Sequence, residues 1–218
     1  YWGIMKAAEK VIVEVNPAQP KVHGMENTIN ISQIDMIVEA PATPLPSIVA
    51  KDATDIEKKI ATHIVDKIES GSTLQLGIGG MPNYVGKMIA ESDINDLSVH
   101  TEMFVDAYVE LYKQGKITGN KNTNKGKMVF TFAMGSQEVY DFLDDNPMGF
   151  MAPVDYVNAV EVIAANDKAV SINSCLQVDL FGQVNSDSDG LQHIGGTGGQ
   201  LDFVMGSVQS KGGKSFLC

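Results

Sequence analysis

The apolar positions of this chain switch between two spacings, and each switch marks an element. Lys10–Val15 (KVIVEV) and Ile34–Glu39 (IDMIVE) are short β-branched runs that read as strands, the first as a buried one. Asn16-Pro17 breaks the first run. Ile56, Ile60, Ile64 and Ile68 recur every four residues and predict an amphipathic helix. Thr54 or Asp55 can cap it, it runs to Ser70, and Gly71 ends it. From there strand and helix alternate. Thr73–Leu76 predicts a buried strand, 83–91 a helix, Leu97–His100 a strand, and Phe104–Gln114 a helix stopped by Gly115. Met128–Ala133 reads as a strand and Gln137–Leu143 as a helix. Ala169–Ser174, Gln177–Leu180 and Gln183–Asn185 read as strands, and KGGKSFL enters a further one. Such alternation predicts an α/β fold of open, mostly parallel sheets with flanking helices. Pro41, Pro44 and Pro46 give 40–49 the composition of an extended linker. A domain boundary is expected there, with 1–46 as the end of one domain plus linker and 47–218 as a second domain. The polar stretch 119–126 (GNKNTNKG) is expected as a surface loop.

The chain is organised around Leu74–Glu102, read as strand, glycine turn, helix, strand and then one acid. The turn is Gly77-Ile78-Gly79-Gly80-Met81-Pro82. Glycines permit positive φ and close backbone approach, and Pro82 suits a first helical turn. A helix N-terminus behind such a turn offers free N–H groups to an anion or a developing oxyanion. Ligands of open α/β sheets sit at the carboxyl ends of strands, where Glu102 is expected. Three readings fit these residues. In a dinucleotide fold Glu102 would bind a ribose hydroxyl, although Pro82 stands where the fingerprint wants its third glycine. In a covalent enzyme Glu102 would be the nucleophile and the loop its cradle. The third reading is a structural turn followed by a solvated acid.

Four segments add a resemblance. GIGGMPNYV, HTEMFVDAYVELYKQGKITG, NSCLQVDLFGQVNSDSDG and IGGTGGQLDFV occur in the order found in the acetyl-CoA hydrolase/transferase family, which the chain resembles over most of 71–218. The likeness is greatest to members that move CoA between butyryl-CoA and acetate, with 4-hydroxybutyryl transfer next. It implies parts of two similar CoA-transferase domains, the second incomplete at its C-terminus. Family members are longer, and the chain opens on Tyr1 without an initiator Met, so it is read as incomplete. The resemblance implies that Glu102 forms a glutamyl-CoA thioester. It places Gly77, Ile78, Gly79, Gly80 and Met81, together with Gly195, Gly196, Gly198 and Gly199, against CoA or the oxyanion. Lys214, beside Gly212-Gly213, is a phosphate contact by the same implication. Asn158 and His23 are expected to line the substrate pocket.

Composition narrows the partners. The 218 residues carry a net charge of −11, which disfavours nucleic acid and anionic membranes. With 44% hydrophobic residues the chain is an ordered globular protein. Cys175 and Cys218 form no CxxC or zinc spacing. Asp187 and Asp189 match half of a calcium-loop pattern whose remainder is missing, so no metal is expected. No apolar run is long enough for a membrane span and none resembles a signal peptide, so a cytoplasmic enzyme is expected. Its partners would be acyl-CoA and short-chain carboxylates, with a homo-oligomer left open. The chemistry needs no tightly bound cofactor. A carboxylate attacks few esters well, but a thioester is activated and its thiolate leaves easily. Coenzyme A is then both substrate and covalent intermediate in a ping-pong route. A hydrolase of the same family would differ in admitting water. A non-catalytic dinucleotide-binding domain is the alternative of another class.

Overall fold

The computed structural model describes residues 1–48, 52–196 and 198–218. Helix α1 (Trp2–Ala7) precedes strands β1 (Ile12–Val15) and β2 (Met36–Glu39), which pair in parallel. Neither strand contains a buried residue. The expected strands are present, but the expectation of a buried first strand is corrected: Ile12, Val15, Met36, Ile37 and Val38 are exposed. Parallel strands gain burial from layers on both faces, and among the described residues these two gain only each other.

The remainder builds a layered α/β unit. Helix α2 (Asp55–Val65) starts at a capping box in which Thr54 and Glu57 satisfy each other's backbone N–H. It ends five residues earlier than the isoleucine spacing predicts, and turns carry the chain on to Gly71. Strand β3 (Thr73–Leu76) is buried throughout and leads into α3 (Gly80–Glu91). Next come β4 (Ser98–Val99), β5 (Met103–Phe104), α4 (Asp106–Lys113), β6 (Met128–Phe130), β7 (Phe132–Ala133) and α5 (Gln137–Leu143). Then β8 (Gly149–Met151), α6 (Val154–Val157), α7 (Val160–Ala164) and β9 (Ala169–Asn173) follow. Two antiparallel hairpins, β10 (Gln177–Val178) with β11 (Val184–Asn185) and β12 (Ser188–Asp189) with β13 (Gln192–His193), form an exposed arm. Helix α8 (Gln200–Gln209) and β14 (Lys214–Leu217) close the chain.

The main sheet has the order β14-β9-β3-β4, all parallel. A bridge from His100 to Val129 continues it to the parallel pair β6-β8, and Gly24 bridges Met151 beyond that. The backbone around His23 and Met25 therefore hydrogen-bonds to the far edge of this sheet, although it lies in the segment before the linker. Helices cover both faces. The larger core packs α2, α3, α4 and α5 against one face through Leu74, Leu76, Val85, Ile89, Phe104 and Tyr108. The smaller core lies under α6, α7 and α8 and contains Val129, Val157, Ile163 and Phe203. No helix among the described residues is long and apolar enough to cross a membrane.

Two expectations need correction here. Phe104 is not the start of a helix: Met103 and Phe104 form β5, paired with β7, because the buried Phe104 ring packs against Tyr108 and Phe130. The loop 119–126 is not wholly at the surface. Lys121 is 4% exposed, and its ammonium donates to the carbonyls of Asn124 and Lys127. Burial among carbonyls, without a carboxylate among its partners, pushes its pKa down to about 8.

Candidate active site

Glu102 sits where the sheet is interrupted between β4 and β5. Its carbonyl accepts from two successive N–H groups, Thr131 at 2.9 Å and Phe132 at 3.2 Å. The backbone is thus pinned on the same residue whose side chain leaves the sheet. The half-buried carboxylate lines a cavity of about 480 Å³ together with Val154, Asp155, Asn158, Ala159, Gly198, Gly199 and Asp202. Asn158 caps the C-terminal end of α6, and its Nδ2 donates to Glu102 Oε2 at 2.6 Å. Gly199 is the N-cap of α8. A Cβ there would overlap both Glu102 Oε2 and Asn158 Nδ2. Three separate elements therefore meet at one carboxylate.

The floor under this triad is buried. His100, two residues before Glu102, is 2% exposed. Its Nε2 lies 2.7 Å from the carbonyl of Val157, the residue before Asn158. Its ring packs at a tilt against Phe203, one turn into α8. Burial pushes the imidazole down to about 4, against the opposing pull of the Val157 carbonyl and with help from the Lys121 ammonium. His100 is consequently neutral at neutral pH.

The sequence-predicted residues divide clearly. Glu102, Asn158, Gly198 and Gly199 converge on one cavity. The loop of Gly77, Ile78, Gly79, Gly80 and Met81 leaves β3, the strand next to β4, at the same end of the sheet, but it does not line that cavity. Gly79 is the N-cap of α3 with φ +126°. The N–H groups of Gly80 and Met81 open the helix there, where an α-helix leaves its first donors without intrahelical partners. The backbone at Gly77 runs close to Asn173, whose side-chain amide exchanges two hydrogen bonds with Gln75. Gly195 and Gly196 lie at the base of the hairpin arm, outside the cavity lining.

Two further predicted residues, His23 and Lys214, are also not brought to the site. His23 Nε2 is 3.0 Å from Asp145 Oδ1 on an exposed turn. Lys214 opens β14, at the edge where the parallel strands begin, whereas Glu102 follows the end of β4. Its ammonium is taken up by Glu69 Oε1 at 2.6 Å and the Lys67 carbonyl at 2.9 Å. Val154, Asp155, Ala159 and Asp202 were not singled out by sequence. Helical spacing from Asn158 gives Val154 and Asp155, the same spacing from Gly199 gives Asp202, and Ala159 is the next residue after Asn158. Among the described residues no group of three or more His, Cys, Asp or Glu is placed to hold a metal.

Comparison with known proteins places this geometry in a family. The profile of the acetyl-CoA hydrolase/transferase N-terminal domain matches residues 3–49, and that of the C-terminal domain matches 135–218. The chain belongs to the acetyl-CoA hydrolase/transferase family. It is 49% identical over 219 residues to the butyryl-CoA:acetate CoA-transferase of Anaerostipes caccae, covering 99% of this chain and 49% of that protein. It is 46% identical over 213 residues to the 4-hydroxybutyrate coenzyme A transferase of Clostridium kluyveri, covering 97% and 49%. The crystal structure of RipA from Yersinia pestis superposes with a TM-score of 0.91 at 43% identity, over 98% of this chain and 48% of that one. The chain thus spans about half the length of the curated relatives it matches. Both the resemblance and the α/β fold expected from sequence are borne out.

Proposed function

We propose that the protein moves CoA from a short-chain acyl-CoA to a carboxylate, with butyryl-CoA and acetate as the pair and Glu102 as the nucleophile. The substrate pair rests on the relative named for it, at 49% identity. The role of Glu102 rests on one observation: its carboxylate faces a cavity in which Asn158 donates to it and Gly199 leaves it room. The dinucleotide reading has less support, because Glu102 shares its cavity with the second glycine cluster and not with Gly77–Met81. In the division we favour, 1–46 goes with the N-terminal domain and 47–218 with the C-terminal one.

The steps follow from the atoms present. Oε1 of Glu102, which accepts no hydrogen bond among the described residues, attacks the thioester carbonyl. The C–S bond breaks, leaving an acyl-glutamyl anhydride and CoA thiolate. The thiolate then attacks the glutamyl carbonyl, the bond from the glutamyl Cδ to the bridging oxygen breaks, and the first carboxylate departs with that oxygen. Glu102 now carries CoA as a thioester. Acetate reverses these steps and leaves as acetyl-CoA, restoring the carboxylate. In the second attack negative charge gathers on Oε2, where Asn158 Nδ2 already points. A donor placed before the charge develops needs no reorganisation. We assign the α3 N-terminus and the Gly77–Met81 loop to CoA, whose non-reacting body supplies binding energy for the reacting centre.

The test is mass spectrometry of protein that exchanges CoA between butyryl-CoA and acetate. Butyryl-CoA alone should leave CoA on the peptide containing Glu102, and excess acetate should remove it. Glu102→Gln should prevent the adduct, because an amide has no carboxylate oxygen to attack. CoA mapped to another residue, or no adduct in an active protein, overturns the assignment.

A further inference from the structure

A second, much smaller cavity, of about 10 Å³, includes His100, two residues before Glu102, in its lining. It is lined by Thr73, Gln75, His100, Ile163, Ala169, Val170, Phe203 and Ser207 and reaches none of the residues of the larger one. Two buried polar atoms from its lining, His100 Nδ1 and Thr73 Oγ1, have no hydrogen-bond partner among the described residues. The Gln75 amide is already engaged with Asn173. A carbonyl can only accept, so the His100 nitrogen 2.7 Å from the Val157 carbonyl must carry the proton. In the neutral ring Nδ1 is then an acceptor facing inward. Leaving it and a hydroxyl buried and unpaired would cost on the order of 1–3 kcal/mol each. Buried waters occur where a cavity of at least about 10–15 Å³ offers two or more polar partners, and this one is at the lower bound.

We infer that His100 is a positioning residue for Glu102: a single buried water donates to its Nδ1 and bridges to Thr73, while its Nε2–H holds the Val157 carbonyl and so fixes Asn158 on the carboxylate. The placement of His100 makes the link short. Its backbone leads by two residues to Glu102, its Nε2 holds the residue before Asn158, and its ring backs Phe203, whose N–H is bonded to the Gly199 carbonyl. All three members of the triad are thus tied to one residue, Glu102 through the backbone and the other two through its side chain. The Val157 carbonyl fixes the tautomer, since a ring with Nδ1–H would turn a lone pair toward it, and the water then donates to Nδ1. The consequence for turnover rests on the reading of Glu102 as nucleophile, whereas the tautomer and the water do not.

The unmodified protein gives the first measurement. Long-range nitrogen–proton NMR on isotope-labelled histidine should show His100 neutral with the proton on Nε2. A high-resolution crystal structure should show one water oxygen within hydrogen-bond distance of His100 Nδ1 and Thr73 Oγ1. A dry cavity, an Nδ1–H tautomer or a charged ring at neutral pH overturns the inference. The second measurement compares His100→Leu with His100→Gln, the latter retaining an amide donor for the Val157 carbonyl. His100→Leu should slow formation of the Glu102 adduct about tenfold or more while leaving the KM for acyl-CoA unchanged, and His100→Gln should recover most of the rate. A purely structural role predicts equal loss in both variants in proportion to the fraction unfolded, and that outcome overturns the positioning role. Failure of the nucleophile reading has a different signature, an adduct that survives Glu102→Gln, and it leaves the tautomer and the water untouched.

Discussion

Gly79 and Gly199 occupy the same station in two different places. Each is the N-cap of a helix, α3 and α8, and each belongs to a glycine cluster that looks interchangeable in sequence. The reasons for glycine are opposite. Gly79 has φ +126°, a region that residues with a Cβ rarely enter, yet the nearest atom to a Cβ there would be the Ser174 hydroxyl at 3.7 Å. Gly199 has an ordinary φ of −91° but no room, because Glu102 and Asn158 fill the place of its side chain. One glycine is required by the backbone and the other by the site. The difference teaches that a glycine loop is not evidence of a ligand until the constraint on it is known.

The comparison predicts its largest effect at the site. Gly199→Ala leaves the backbone unstrained and places a methyl group against the Glu102 carboxylate and its Asn158 donor. Either the carboxylate swings away or the hydrogen bond breaks. Adduct formation should fall by about a hundred- to a thousandfold, some 3–4 kcal/mol in the barrier, while the thermal midpoint changes little. An adduct formed at the original rate would show that Glu102 does not react in the geometry found here.

Gly79→Val should act on the fold before the chemistry. The strained φ costs on the order of 1–3 kcal/mol, and the β-branched side chain adds to it. The expected result is a lower urea midpoint with an unchanged slope. Unchanged stability would mean that the loop relaxes to another conformation, and the contrast with Gly199 would then collapse.

Much of this arrangement was legible because its signals are local. Thr73–Leu76 and Gln137–Leu143 match their predicted spans, since buried runs and their stop signals lie within a few residues. Helix α8 escaped, because QLDFVMGSVQ has no charged face and contains Gly206, a helix-weakening residue. That glycine is there because Ile163 of α7 packs directly against it, a contact that no local pattern records. Glu102 was expected from its place after a strand and from motif order, and Asn158 from the family resemblance at a segment outside the four motifs. The sheet edge on which a lone cation falls is a matter of register, and Lys214 opens its strand at the edge away from Glu102. His23 was expected only from the likeness of its neighbourhood to the family, and the chain places it beside Asp145 on an exposed turn. His100 was visible only as part of a strand, and its partner Val157 lies 57 residues on.

The smallest expected effect is the sharpest test of the second cluster. Family resemblance put Gly195, Gly196, Gly198 and Gly199 together against CoA, yet a Cβ at Gly196 would meet nothing within 4 Å and its φ lies outside the left-handed region. Among the described residues, then, nothing requires glycine at that position. Gly196→Ala should leave stability within about 0.5 kcal/mol or raise it slightly, because alanine restricts the unfolded chain more than glycine does. If only Gly199 matters to the chemistry, the rate of adduct formation should also be unchanged. A stable Gly196→Ala protein with a rate lowered tenfold would have a single physical reading: CoA comes close enough to the backbone at 196 to collide with a methyl group. That outcome would move Gly196 from a spare turn residue to a ligand contact and extend the site from one glycine to the cluster. An unchanged rate confines the requirement to Gly199, where the carboxylate itself imposes it.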